Sequence, residues 1–199
     1  MKNMYDFDYV FLQHGITKDD LSSWLNRYNK NISMFVTTAV GEYQSILDYD
    51  YGYDEKVVKL TGFPRYDKLA QTEPVKKQII FLTTWRQKLA GKMDLVSGQR
   101  EYNEEFKNSE YCQFYNRLIN DERLLAVMRK KGYTGKFCLH NNHMVQAGDF
   151  KGNDVIHIHT DAIEYVKEFK ENALMLTDYS SVAFDFAYLG KPIVYVQFD

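Results

Sequence analysis

Apolar positions along the chain follow two rhythms. Short runs rich in Val, Ile, Phe and Tyr read as strands, and stretches with apolar residues three and four apart read as helices. The first run is Asp6–Gln13 (DFDYVFLQ), a strand that feeds a loop at His14-Gly15. Asp19-Asp20 then start a helix over LSSWLNRYNK, with its acids first, as the helix dipole favours. Ile32–Thr38 predicts a buried strand, Glu42–Tyr49 a helix, and Val57–Thr61 a short strand that stops at Gly62. Ile79–Thr84 predicts another strand. Residues 87–109 are polar and lack a period, so they predict a long loop or insertion. From Asn108 to Gly132 the spacing of Tyr111, Phe114, Tyr115, Leu118, Leu125 and Met128 predicts one or two helices. Strands follow at Lys136–Leu139, Asp154–His159, Ala173–Leu176 and Lys191–Val196. Between them lie helices at Asp161–Phe169 and Ser180–Leu189, the latter closed by Gly190.

Strands that alternate with helices in this way predict an α/β fold with a mostly parallel sheet flanked by helices. The length of 199 residues allows one large domain or two small ones, and the expectation is a single domain over 1–199 carrying 87–109 as an insertion. Hydrophobic content of 45% and charged content of 26% support a core that needs no staples. A net charge of −2 argues against broad nucleic-acid binding, which needs a basic bias. Cys112 and Cys138 have no metal-ligand spacing and read as reduced thiols. No apolar run approaches the roughly 18 residues of a membrane span. No secretory leader is visible. A strand pattern begins almost at once and the chain stops just after another, so a piece of a longer protein is expected.

In a parallel sheet, ligands bind beyond the carboxyl ends of the strands. Five predicted strand ends carry His, Arg, Lys, Ser or Thr. They are Gln13 to Lys18, Gly62 to Asp67, Thr83 to Arg86, His140 to His143, and Thr177 to Ser181. If one parallel sheet holds all five, they share an edge. The chemistry such an edge suggests is anion handling. Ser180 and Ser181 would sit at a helix N-terminus, where free N–H groups favour phosphate. Arg65 and Arg86 can grip phosphate with a planar fork, and Lys18 adds a point charge. His14 and His140 could serve as base and phosphate partner. Plainer readings exist for each: Ser180 as an N-cap, His14 as a turn residue, Arg65 as a surface arginine, Asp178 and Asp185 as turn and surface acids. His140 and His143 have no third ligand to make a zinc site. No Walker A or GxGxxG motif occurs.

Taken in order, HGITKDDLSSWLN, GFPRYDKL, TTWR and LTDYSSVAFDFAYLGKPIVYVQFD resemble the CDP-glycerol glycerophosphotransferase family, the teichoic-acid polymerases and primases. The likeness runs from about Asp8 to Asp199, and TDYSS-V-x-FD is its most specific part. It implies a GT-B architecture of two Rossmann-like domains, of which this chain resembles the C-terminal, donor-nucleotide-binding one. It implies transfer of glycerol phosphate, or a related polyol phosphate, from a CDP carrier to a hydroxyl of a membrane-linked cell-wall or capsule polymer. CMP is released, and no metal or other cofactor is implied. By resemblance His14 is the general base and His140 stabilises the pyrophosphate. Gly15, Thr17, Lys18, Arg65, Thr83, Thr84, Arg86, Ser180, Ser181 and Asp185 lie on the donor side. The implied location is cytoplasmic, peripheral at the inner face of the membrane. The sequence departs from the family pattern at Thr83 and Asn141, where proline is usual, and at Cys138, where a basic residue is frequent. A nucleotide-sugar glycosyltransferase on the same scaffold and a non-catalytic donor-binding module are the alternatives.

Overall fold

The computed structural model describes residues 7–17, 19–71 and 73–199. The chain divides into two compact units, Met1–Gln71 and Thr72–Asp199. The polar stretch at 87–109 lies wholly inside the second.

In the first unit the elements are β1 (Val10–Phe11), α1 (Ser22–Leu25), α2 (Arg27–Lys30), β2 (Met34–Thr37), α3 (Val40–Asp48), β3 (Val58–Leu60) and α4 (Arg65–Leu69). The three strands form one parallel sheet in the order β1-β2-β3, with Phe35 paired to Phe11 on one side and to Val58 on the other. Phe35 is fully buried at the centre. Phe11 meets its ring edge-on at 5.0 Å and Tyr51 does so at 6.4 Å. The Tyr51 hydroxyl accepts the Leu21 N–H at 2.7 Å, so this core also anchors the segment leading into α1.

Two expectations for this unit change. The first strand is only two residues long, and its predicted start at Asp6 lies outside the described residues. The single helix expected over LSSWLNRYNK breaks at Asn26, which is extended and accepts the Asn29 N–H on its side chain at 3.0 Å. Asparagine competes with helical hydrogen bonds and favours cap positions, so it ends α1 and starts α2.

The second unit contains β4 (Lys76–Leu82), α5 (Glu110–Ile119), α6 (Glu122–Lys131), β5 (Thr134–Cys138), β6 (Ile156–His159), α7 (Tyr165–Glu171), β7 (Asn172–Thr177), α8 (Ala183–Tyr188) and β8 (Ile193–Tyr195). Its five strands are all parallel, in the order β6-β5-β4-β7-β8. Counted from the first strand of the unit this is 3-2-1-4-5, the doubly wound order of Rossmann-like sheets. The chain moves outward from β4 to β5 and β6, then returns to β7 on the other side of β4. The switch point is therefore between β4 and β7.

Two helix starts in this unit have a local cause. The Ser109 hydroxyl accepts from the Cys112 N–H to cap α5, and Asp121 accepts from the Arg123 and Leu124 N–H groups to cap α6. Gly132 ends α6 with a φ of +72°, behind three basic residues in the last turn. Phe81, Phe137, Tyr115, Ile119 and Ile156 fill the core between sheet and helices. Phe198 reaches back to stack on Phe114 at 4.1 Å.

Two helix starts differ from the sequence expectation. α7 begins at Tyr165, four residues after Asp161. α8 begins at Ala183, and Ser180 is not its cap. The Ser180 and Ser181 carbonyls instead accept the Ala183 and Phe184 N–H groups, both at 3.2 Å, in a tight turn before the helix. The stretch at 87–109 is irregular, with single 3₁₀ turns at Gln87–Leu89 and Phe106–Asn108 and one antiparallel bridge between Met93 and Arg100.

Packing at Gly135 in β5 gives a direct check on this core. A Cβ there would lie 2.8 Å from Ile156 Cγ1 and 3.1 Å from Phe81 Cε2. Gly135→Ala should destabilise the second unit by about 1–3 kcal/mol through overpacking. Urea unfolding measures this, and an unchanged midpoint would contradict the packing described.

Candidate functional site

Beyond the carboxyl ends of β4 and β7, the switch point is closed by one buried carboxylate. Asp178 is 1% exposed. Its Oδ1 accepts the N–H groups of Thr84 and Tyr179, both at 2.8 Å. Its Oδ2 accepts from Arg86 Nη1 at 2.9 Å. A carboxylate so buried is tolerable only when its oxygens are filled, and here a cation and two backbone amides fill them. The loops after β4 and β7 are thus tied to each other.

Arg86 is the cation of this joint. Besides Asp178, its Nη1 donates to the Thr84 carbonyl at 2.8 Å, while Nε and Nη2 form a two-point pair with Asp199 at 2.7 and 2.9 Å. Its guanidinium lies 5.1 Å from the Tyr179 ring and 5.3 Å from that of Tyr111. Burial works against its charge, but the hydrogen bonds to Asp199 and the charge of Asp178 outweigh burial and keep it protonated. Burial also pushes up the phenol of Tyr115, with the Asp178 charge adding to it. The fork of Arg86, expected to grip a phosphate, is engaged inside the protein.

His143 supports the same loop from beneath. It is fully buried, and its Nε2 lies 3.3 Å from the Arg86 carbonyl. Its Nδ1 has no partner among the described residues. The proton therefore belongs on Nε2, which donates to Arg86 O. Burial pushes the imidazole down to about 4 from an ordinary 6.5, and the neighbouring charge of Arg86 acts in the same direction. Sequence spacing weighed His143 only as a metal ligand. Its aromatic neighbours, Phe106 at 5.0 Å and Tyr111 at 5.3 Å, make it a core residue.

His140 follows β5 and is only half-buried. Its Nδ1 accepts the Asn142 N–H at 3.1 Å and so caps the 3₁₀ segment Asn141–Asp149. Its ring stacks on Trp85 with centroids 6.0 Å apart and planes 24° apart. Burial lowers its pKa, favouring a neutral ring with Nε2–H as donor. Thr83 is buried, and its N–H donates to Cys138 O at 3.3 Å, joining the loop after β4 to the end of β5. Ser180 is half-buried and Ser181 exposed, and neither hydroxyl has a hydrogen-bond partner among the described residues. Asp185 is buried in the first turn of α8.

The first unit collects His14, Gly15, Thr17 and Arg65. Arg65 opens α4 and donates from Nη1 to the His14 carbonyl at 2.7 Å, with its guanidinium 4.6 Å from the Phe63 ring. The His14 side chain is exposed. Gln13, at a φ of +55°, accepts the His14 N–H on its side chain and donates to the Thr17 hydroxyl. Lys18 lies outside the described residues. The five strand ends expected along one edge thus belong to two sheets, two to the first and three to the second. Sequence reasoning missed Glu42. This acid in the first turn of α3 is buried, and its two oxygens accept the Thr17 N–H at 2.9 Å and the Thr38 N–H at 2.8 Å. The signal was available as an acid three residues after the α3 cap position, where a carboxylate can turn back to backbone N–H groups.

The profile of the CDP-glycerol:poly(glycerophosphate) glycerophosphotransferase family matches residues 6–199. The chain belongs to this family. It is 43% identical over 198 residues to the minor teichoic acid biosynthesis protein GgaB of Bacillus subtilis strain 168. That match covers all of this chain and 22% of GgaB, so the chain spans about a fifth of that relative's length. Among solved structures it is similar to the wall teichoic acid polymerase TagF. A His-to-Asn variant of TagF aligns with 15% identity and a TM-score of 0.53, covering 94% of this chain and 48% of that one. A His-to-Ala variant aligns with 16% identity and the same TM-score, covering 94% and 44%. At that identity the likeness shows the shared α/β fold. In this glycerophosphotransferase-family chain no group of three His, Cys, Asp or Glu among the described residues is placed to hold a metal ion. No helix among them is long and apolar enough to cross a membrane.

His143 makes stability depend on pH in a definite direction. Its folded pKa of about 4 lies below the ordinary 6.5, so between these values the unfolded chain binds the proton and the folded one does not. The contribution is complete above about 6.5 and is lost as pH falls towards 4. Between pH 7.5 and 5 the loss should be about 2 kcal/mol. Urea titrations of wild type and His143→Gln at both pH values isolate it. Equal pH slopes in the two proteins would contradict the assignment.

Proposed function

We propose that this chain forms the donor-binding part of an enzyme that moves glycerol phosphate, or a related polyol phosphate, from a CDP-linked donor to a hydroxyl of a cell-wall or capsule polymer. The observation that carries the reading is the state of the loops after β4, β5 and β7. Asp178 and Arg86 are occupied with each other, whereas the Ser180 and Ser181 hydroxyls and the half-buried His140 ring remain for a ligand. Those groups are hydrogen-bond donors at the switch point and on the neighbouring end of β5, the side of the sheet where nucleotide-type ligands bind.

In the reaction, the acceptor hydroxyl oxygen attacks the β-phosphorus. The bond from that phosphorus to the bridging oxygen breaks, and CMP leaves with the electron pair. His14 takes the hydroxyl proton. His140 donates from Nε2 to a phosphate oxygen, and the two serines and Thr84 bind the diphosphate alongside it. Arg86 serves the donor by holding the Thr83–Arg86 loop in shape. By resemblance, Gly15, Thr17, Lys18 and Arg65 also serve on the donor side. Asp185 completes the donor side. The enzyme works in the cytoplasm at the inner membrane face, where its acceptor is anchored.

The test is turnover of CDP-glycerol by the full-length protein with polymer acceptor, read as CMP release. His14→Ala and His140→Ala should each lower kcat by about 100-fold or more. Normal turnover in His14→Ala would remove the base assignment. A calorimetric panel of CDP-glycerol, CDP-ribitol and UDP-sugars separates polyol phosphate transfer from sugar transfer, and binding of a UDP-sugar alone would overturn the proposal.

A further inference from the structure

His140 sits in a closed circuit that reaches into the polar stretch at 87–109. Its Nδ1 accepts the Asn142 N–H at 3.1 Å, and its ring stacks on Trp85. The opposite end of the circuit is Arg100. The Arg100 guanidinium lies 5.3 Å from the Trp85 ring. Its Nε donates to Asn142 Oδ1 at 3.2 Å, and its Nη1 donates to the Gly91 carbonyl at 3.0 Å. One arginine therefore holds two groups that touch the His140 ring: the indole against its face and the residue whose amide fills its Nδ1.

We propose that Arg100 and Asn142 are positioning residues that fix the ring plane and the tautomer of His140. A neutral imidazole has two tautomers. With Nδ1 accepting from a backbone N–H, the proton must lie on Nε2, and Nε2 becomes the donor. Phosphate oxygens only accept, so the other tautomer would present a lone pair to them. Ring plane matters equally, because a misplacement of about 1 Å can cost about 100-fold in rate. Two of the three guanidinium nitrogens of Arg100 and its planar face are committed within the second unit. None of the sequence motifs that point to the donor side includes Arg100. It arrives from a stretch that otherwise reads as an insertion, and the Met93–Arg100 bridge returns the chain to the site.

The inference rests on His140 as the donor-phosphate partner, and its spectroscopic test is independent of that reading. Long-range ¹H–¹⁵N spectra of ¹⁵N-histidine-labelled protein report the tautomer of each ring, with the His140 signals assigned by their loss in His140→Ala. Wild type should show a single Nε2–H tautomer for His140 at pH 7.5. Asn142→Pro deletes the amide donor and Arg100→Ala releases its residue, so both should show an averaged tautomer pattern. In the full-length protein Arg100→Ala should lower kcat about tenfold while KM for CDP-glycerol changes less than about twofold, the signature of lost orientation. Arg100→Lys restores a cation on Trp85 without the fork and should recover part of the rate. The proposal is overturned if Arg100→Ala keeps the wild-type tautomer pattern, or if its kcat is unchanged. Absence of turnover in wild type would count against the donor reading alone, and the tautomer pattern would still decide the circuit.

Discussion

The second unit depends on one buried carboxylate. Asp178 lies where the doubly wound sheet changes direction, and its two oxygens take the Thr84 amide, the Tyr179 amide and the Arg86 guanidinium. A lone buried charge would be costly, and a filled one is a rigid joint. Through it the loops after β4 and β7 become one body. Arg86 then extends the joint to Asp199, and His143 secures the Arg86 carbonyl from below. Among the described residues, the groups left without a hydrogen-bond partner beyond the ends of β4, β5 and β7 include the Ser180 and Ser181 hydroxyls, the Thr84 hydroxyl and Nε2 of the neutral His140 ring.

The first unit repeats the device with a different residue. Glu42 is buried, and its carboxylate takes the amides of Thr17 and Thr38, which follow β1 and β2. In each unit a buried acid laces strand-end loops together, so loop residues gain the positional definition of strands. That is a common requirement where binding groups sit on connecting segments. Arg65 adds a further tie by binding the His14 carbonyl, which leaves the His14 ring exposed while its backbone is held.

Much of this was legible in the sequence because the signals were local. Ile32–Thr38 has the apolar, β-branched character of a buried parallel strand and Ala173–Leu176 is a short apolar run, and both are strands within two residues of the expected bounds. Tyr111 to Met128 carries helical spacing, and caps at Ser109 and Asp121 mark the two helices. The misreadings came from long-range effects. Nothing local says that the eight strands among the described residues belong to two sheets, because strand pairing is set by contacts distant in sequence. Ser180 resembles a helix cap, yet the backbone makes a tight turn first and α8 starts at Ala183. Asp178 read equally well as a turn acid, since its three partners lie on both sides of the switch point. Arg86 looked like a ligand's fork for the same reason: a sequence shows that a cation is present and not that two carboxylates already hold it.

A structure of the protein with CDP-glycerol bound should show the diphosphate over the ends of β4, β5 and β7, within hydrogen-bond distance of His140 Nε2 and of the Ser180 and Ser181 hydroxyls, with the Arg86–Asp178 pair intact. A diphosphate bound away from those loops, or one that replaces Asp178 as the partner of Arg86, would contradict this arrangement.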